Sequence, residues 1–221
     1  MGDGVERAGD GAARLRAVVW DMDGTLVDSA TAVPDAYIGA IGRLGGPVLT
    51  RDAIIAAYNL GPPEIMLGHL LGRPATAADV DEYIAYLRTT VSTARPYPGV
   101  ATTLERLRDR VGLGVFTGAS RPGALILLDA VRLLGFFRAV VGGDQVENQK
   151  PAPDGVLRAC AELGVEPAAA AYVGDSPNDL EAAQRAGALA VGAGWGHQFS
   201  AAADADVVLD RPEQVLDLLR R

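Results

Sequence analysis

Short apolar runs separated by stretches of helical periodicity constrain this 221-residue chain more than any other feature. The runs lie at 15–20, 113–116, 139–141, 170–173, 189–191 and 207–209, each of a length suited to a buried strand. Between them apolar residues recur at helical spacing, as at Leu104, Leu107 and Val111, or Ile126, Ala130 and Leu133, and 155–163 reads the same way. Strands that alternate with helices need parallel crossovers, which predicts an α/β fold with a doubly wound parallel sheet.

One segment departs from this alternation. Residues 28–95 carry helical patterns such as Val80, Ile84, Leu87 and Val91 but no strand-like run, and they return through Arg95-Pro96-Tyr97-Pro98-Gly99, a strongly punctuated stretch. The expected organisation is therefore a flexible leader over 1–14, a core domain from 15–27 and 96–221, and an inserted helical cap domain over 28–95.

Composition narrows the function classes. Hydrophobic residues make up 49% but aromatics only 5%, so Ala, Val and Leu must build the core. A net charge of −8 leaves no basic stripe for a nucleic-acid backbone, so nucleic acid is not an expected partner. No apolar run is long enough for a membrane span, and the first residues lack the apolar segment of a signal peptide. The single cysteine, Cys160, permits no intrachain disulfide and reads as a buried thiol in a reducing compartment. A cytoplasmic enzyme, monomeric or homodimeric and free of membranes, is the expectation.

In a doubly wound sheet, ligands bind beyond the carboxyl ends of the strands. Four such ends are polar here. Asp21-Met22-Asp23-Gly24-Thr25 places two acids close together beside a glycine, an arrangement that invites a divalent cation. Thr117-Gly118-Ala119-Ser120 offers a hydroxyl and backbone amides at a helix start, suited to phosphate oxygens. Lys150 is the only lysine in a chain that otherwise uses arginine for its cations, which suggests a site that needs a compact ammonium. Asp175 and Asp179, on either side of Ser176-Pro177-Asn178, are close enough to share a metal or reach a lysine. Taken singly, each has an ordinary reading as a cap, a turn former or a solvated charge. Together they converge on one crevice.

With these residues in view, the chain resembles the haloacid dehalogenase superfamily, whose four motifs stand here as DMDGT, VFTGAS, KPAPD and GDSPNDLEAAQRAG. Within it, DMDGTLVDS, PYPGV and QKPAPD resemble phosphoglycolate phosphatase-like enzymes. The resemblance implies a Rossmann-like core with an inserted cap and a Mg²⁺-dependent phosphatase acting on a small phosphorylated metabolite. By the same carry-over, Asp21 is the nucleophile that forms an aspartyl-phosphate, and Asp23 is the general acid and base. Mg²⁺ would be held by Asp21, the Asp23 carbonyl and Asp175. Thr117, Gly118 and Lys150 would hold the phosphate, with Asp179 orienting Lys150 and Asn178 supporting the metal shell.

The presence of Asp23 speaks against dehalogenation, and the absence of lysine from 28–95 against phosphonate cleavage through a Schiff base. A sugar phosphomutase stays open as an alternative. A receiver-type signalling domain shares the acids, hydroxyl and lysine but lacks a second acid in the first motif and a cap. For substrate choice the sequence points to the loop Asn59-Leu60-Gly61-Pro62-Pro63-Glu64, and to Arg43, Arg51 and Arg73 as candidate anchors for a carboxylate. Of the histidines, His69 reads as a packed or surface residue, while the resemblance places Trp195 and His197 in a loop near the active site.

Overall fold

The computed structural model describes residues 14–200 and 204–220, so the expected leader lies outside the described residues except for Arg14. A six-stranded parallel sheet forms the centre. Its strands are β1 (Ala17–Trp20), β4 (Gly112–Phe116), β5 (Ala139–Val141), β6 (Ala170–Gly174), β7 (Leu189–Ala193) and β8 (Val207–Leu209), in spatial order β5-β4-β1-β6-β7-β8. The order reverses at β1, with β4 on one side and β6 on the other, in register Trp20 to Val115 and Trp20 to Val173. That reversal is where a parallel sheet opens a crevice.

The six apolar runs are these six strands. β1 reads Ala-Val-Val-Trp and is wholly buried, as a central strand covered on both faces must be. Its residues alternate: Val18 and Trp20 belong to one hydrophobic cluster, Ala17 and Val19 to another on the opposite face. Each fully buried valine contributes roughly 1.5–3 kcal/mol.

Helices α5 (Val100–Leu107), α6 (Arg121–Ala130), α7 (Asp154–Leu163), α8 (Pro177–Ala186) and α9 (Val215–Leu218) flank the sheet or close its edge. Two helices are shorter than their periodicity predicts. Val111 lies in the turn after α5, and Leu133, though buried, follows Arg132, whose φ of 60° cannot continue a helix. Apolar spacing persists past the helix end because the turn itself packs on the core.

Between the two-residue strands β2 (Val27–Asp28) and β3 (Arg95–Pro96), which pair antiparallel, the chain forms α1 (Ala32–Arg43), α2 (Arg51–Ala56), α3 (Pro63–Leu71) and α4 (Ala77–Thr90). α4 begins with a capping box in which Thr76 and Asp79 satisfy each other's amides. Arg73 adds a fork of two hydrogen bonds to Asp79, at 2.7 and 2.9 Å, and holds its carboxyl well below the usual range. Val91 lies just beyond α4, in a 3₁₀ turn. The rings of Tyr37 on α1 and Tyr83 on α4 stack with centroids 4.2 Å apart.

No helix of the described residues is long and apolar enough to cross a membrane. Cys160 is buried in α7, and burial pushes its thiol up to about 11, out of reach of a nucleophile's role.

Candidate active site

The site begins where β1 ends. After Asp21 the chain folds around one oxygen: the amides of Thr25, Leu26 and Val27 all donate to the Met22 carbonyl, at 3.3, 2.9 and 2.9 Å. The knot needs a left-handed residue, and Gly24 supplies it with φ of +85°. A Cβ there would run into the Asp175 carboxylate, and so would one at Gly196. The two glycines let β1's loop, β6's end and the 194–198 loop close around Asp175.

Asp21 is buried, and its Oδ1 accepts a hydrogen bond from Lys150 Nζ at 2.6 Å. The same ammonium donates to Asp179 Oδ1 at 2.6 Å and sits over the rings of Phe116 and Tyr172, 4.9 and 5.4 Å from their centroids. Asp179 is fixed from every side. Its Oδ2 accepts from the Ser176 amide and hydroxyl at 3.0 and 2.6 Å, and the Tyr172 hydroxyl lies 3.1 Å from its Oδ1. With its lone pairs engaged in this way, Asp179 is arranged to hold Lys150 in place.

Asp175, at the start of the β6–α8 loop, accepts from Thr25 Oγ1 at 3.4 Å and from the Gln198 amide at 2.9 Å. Asp23 accepts a short hydrogen bond from Ser29. Thr117 is buried at the end of β4, and its Oγ1 accepts from the Ala119 amide at 3.2 Å, which leaves the hydroxyl proton available to a ligand. Gly118 and Asn178 lie on the wall of the same cavity, which measures about 90 Å³ and is lined by Asp21, Asp23, Thr117, Lys150, Asp175 and Asp179 among others. At roughly 10–15 Å³ per water this is space on the scale of a small metabolite.

The sequence-derived residues Asp21, Asp23, Thr117, Gly118, Lys150, Asp175, Asn178 and Asp179 are thus all brought to one cavity. Several neighbours were not foreseen: Thr25 and Gln198 orient Asp175, Ser29 binds Asp23, and Tyr172 and Ser176 brace Asp179. The 194–198 loop does reach the site, but through Gln198. Trp195 donates to the Thr25 carbonyl at 2.9 Å, and His197 Nδ1 lies 3.2 Å from the Tyr97 hydroxyl. His69 is exposed on α3. Arg43, Arg51 and Arg73 do not line the cavity, because each is drawn to a carboxylate of its own: Glu82, Asp35 and Asp79.

Crowded acids in a dry pocket resist ionisation. Burial raises Asp21 well above its ordinary range, against the pull of Lys150, and the charges of Asp179 and Asp175 push the same way. Burial likewise raises Asp23, against its Ser29 hydrogen bond. Asp175 is pushed up to about 6 by burial and then by Asp179. Burial alone would lower Lys150, but the charges of Asp179 and Asp21 outweigh it and leave its pKa above the ordinary value.

Four carboxylates facing one ammonium leave an excess of negative charge. Oxygens of Asp21, Asp175 and Asp179 lie within 4.8 Å of one another, and the donors are hard oxygens, so the residues fit a divalent cation.

A family model described as haloacid dehalogenase-like hydrolase matches residues 15–187. The phosphoglycolate phosphatase of Escherichia coli (strain K12) is 32% identical over 215 residues, covering 86% of this chain and 85% of that protein. The probable phosphatase IndB of Dickeya dadantii (strain 3937) is 35% identical over 210 residues, covering 90% and 91%. Among solved structures, CbbY from Rhodobacter sphaeroides in complex with phosphate superposes with a TM-score of 0.81, at 24% identity over 94% of this chain and all of that one.

Proposed function

The chain belongs to the haloacid dehalogenase-like hydrolases, and on that footing we propose that it is a Mg²⁺-dependent phosphatase that hydrolyses a small phosphate monoester through a phosphoryl-enzyme on Asp21. The observation that carries the reading is the Asp21–Lys150–Asp179 chain of contacts at 2.6 Å, buried beside Asp175 and Thr117.

The Asp21 carboxylate attacks the phosphorus in line with the leaving oxygen, so that an acyl-phosphate bond forms as the ester P–O bond breaks. Asp23, one residue removed and with a raised pKa, holds the proton that the leaving alkoxide needs. Having given it up, the Asp23 carboxylate removes a proton from water, which attacks the phosphorus and restores Asp21. The Thr117 hydroxyl and Gly118 amide hold phosphate oxygens, while Lys150 offsets charge on both Asp21 and the phosphate. Asp21, Asp175 and the Asp23 carbonyl would hold Mg²⁺, with Asn178 supporting them; bound there, the ion neutralises phosphate charge and keeps Asp21 ionised.

In this reading residues 28–95 are a cap over the core formed by 15–27 and 96–221, and their wall of the cavity excludes water and reads the organic part of the substrate. The names of its relatives support a small phosphorylated metabolite as substrate, and the single buried thiol fits a reducing, cytoplasmic setting for an enzyme that we take to be a monomer or homodimer. A phosphomutase would use the same Asp21 chemistry but return the phosphoryl group to a sugar. Phosphate release from a panel of small esters, with Mg²⁺ and with chelator, tests the proposal: metal-dependent release is expected. Isomerised sugar phosphate without free phosphate would refute hydrolysis.

A further inference from the structure

We infer that the site selects a phosphate monoester whose organic part is electrically neutral, with an apolar face against a tyrosine wall and one polar group at the Tyr58 hydroxyl, and that it discriminates against esters bearing a second anion. The inference rests on the phosphatase reading and names its substrate class.

The wall opposite the catalytic carboxylates is built by Val33, Tyr37, Tyr58, Met66 and Tyr83, joined by Leu127 from α6. None carries charge. Among the described residues that line the cavity, Lys150 is the only cation, and it is already shared between Asp21 and Asp179. Even with Asp23 protonated, a bound divalent ion and Lys150 together carry less positive charge than the other three acids and a phosphate dianion carry negative. A carboxylate or second phosphate would therefore enter a desolvated space with no partner and with like charge nearby.

The arginines that could have served are committed elsewhere. Arg51 makes a two-pronged pair with Asp35 at 2.7 and 2.8 Å, Arg73 makes another with Asp79, and Arg43 reaches Glu82 at 3.6 Å. All three point to partners on the helical segment itself, away from the cavity.

The wall is nonetheless specific. Tyr37 and Tyr83, whose rings stack on each other, line the cavity with apolar aromatic surface of the kind that packs on a sugar's C–H groups. The Tyr58 hydroxyl is buried and has no hydrogen-bond partner among the described residues. A buried hydroxyl of this kind rewards a ligand that supplies the missing bond. Tyr58 stands on the uncharged wall and not among the residues assigned to the phosphate, so the group that meets it is assigned to the leaving alcohol.

The test uses the full chain as Asp21→Asn, which cannot form the phosphoryl-enzyme, with Mg²⁺ and two esters that differ only at the far end: 2-hydroxyethyl phosphate and 2-phosphoglycolate. Calorimetric titration is expected to show the neutral ester binding at least about tenfold more tightly. Adding Tyr58→Phe, which keeps the ring, should weaken the hydroxyethyl ester about five- to tenfold and so narrow the preference. Equal or tighter binding of 2-phosphoglycolate, or no binding of either ester, would overturn the inference. Hydrolysis is read separately from wild-type phosphate release on the same pair. A binding preference without turnover would refute the phosphatase reading and leave only the preference for a neutral ligand standing.

Discussion

Replacing Lys150 by methionine probes the site at its most connected atom. The ammonium makes two 2.6 Å hydrogen bonds to buried carboxylates, and its own side chain is only 11% exposed. Removing it leaves Asp21 and Asp179 unpaired in a dry environment, and breaking a buried pair from one side costs about 3–5 kcal/mol. For a chain of this size that corresponds to roughly 6–20 °C in the midpoint of thermal unfolding, taking about 2–4 °C per kcal/mol. The catalytic loss has two sources. Without the neighbouring cation Asp21 is protonated over a wider pH range, and the phosphate loses one preorganised positive charge, together on the order of 10²–10³ in kcat/KM. Arginine should not rescue, because a planar fork does not fit a socket shaped for a tetrahedral ammonium between Phe116 and Tyr172. Phosphate-release kinetics and calorimetry of metal-free protein measure the two effects. A Lys150→Met protein that unfolds at the wild-type temperature and retains kcat/KM within about threefold would refute this reasoning.

Gly24→Ala combines a left-handed backbone with a Cβ directed at Asp175, so it should cost about 1–2 kcal/mol in stability and sharply weaken metal binding; a titration showing wild-type affinity would count against the cradle. Asp175, raised to about 6 by burial and by Asp179, makes metal affinity pH-dependent. A proton and the cation compete for the carboxylate, so apparent affinity should fall by at least about tenfold per unit as pH drops below about 6, with the raised Asp21 carboxyl adding to the loss. In metal-free protein the sign reverses. The folded state binds this proton more tightly than the unfolded chain does, so Asp175's contribution to stability is fully present below about pH 4 and is lost as pH rises to about 6. Calorimetric titration with Mg²⁺ and thermal unfolding without it, across that range, check both signs.

The sheet was legible because parallel strands buried on both faces must be continuously apolar, and six such runs stand out against a helical background. The polar strand ends were legible for a related reason: a parallel sheet has only one edge at which its strands stop and its loops turn toward a ligand. The order of strands was not, since nothing in a run such as Ala170–Gly174 says which neighbour it takes. Contacts made by ordinary residues were equally hidden. Ser29, Tyr172 and Gln198 act through position, and each could have been a surface or core residue by type alone. The tyrosine wall left one usable signal: four of the chain's six tyrosines, Tyr37, Tyr58, Tyr83 and Tyr86, fall within residues 28–95 of a sequence poor in aromatics. The three arginines misled because their pairing with Glu82, Asp35 and Asp79 depends on how α1 meets α4, how α2 meets α1 and how the turn between α3 and α4 folds.

The central claim is that the phosphoryl group passes through Asp21. An Asp23→Asn variant given p-nitrophenyl phosphate, whose leaving group needs no general acid, should form the phosphoryl-enzyme and hydrolyse it slowly. Acid quenching after one turnover, followed by peptide mass mapping, measures where the phosphoryl group rests. The account predicts a burst of nitrophenol matched by an adduct on the peptide at Asp21. Release of nitrophenol with no adduct, or with the adduct on another residue, would contradict it.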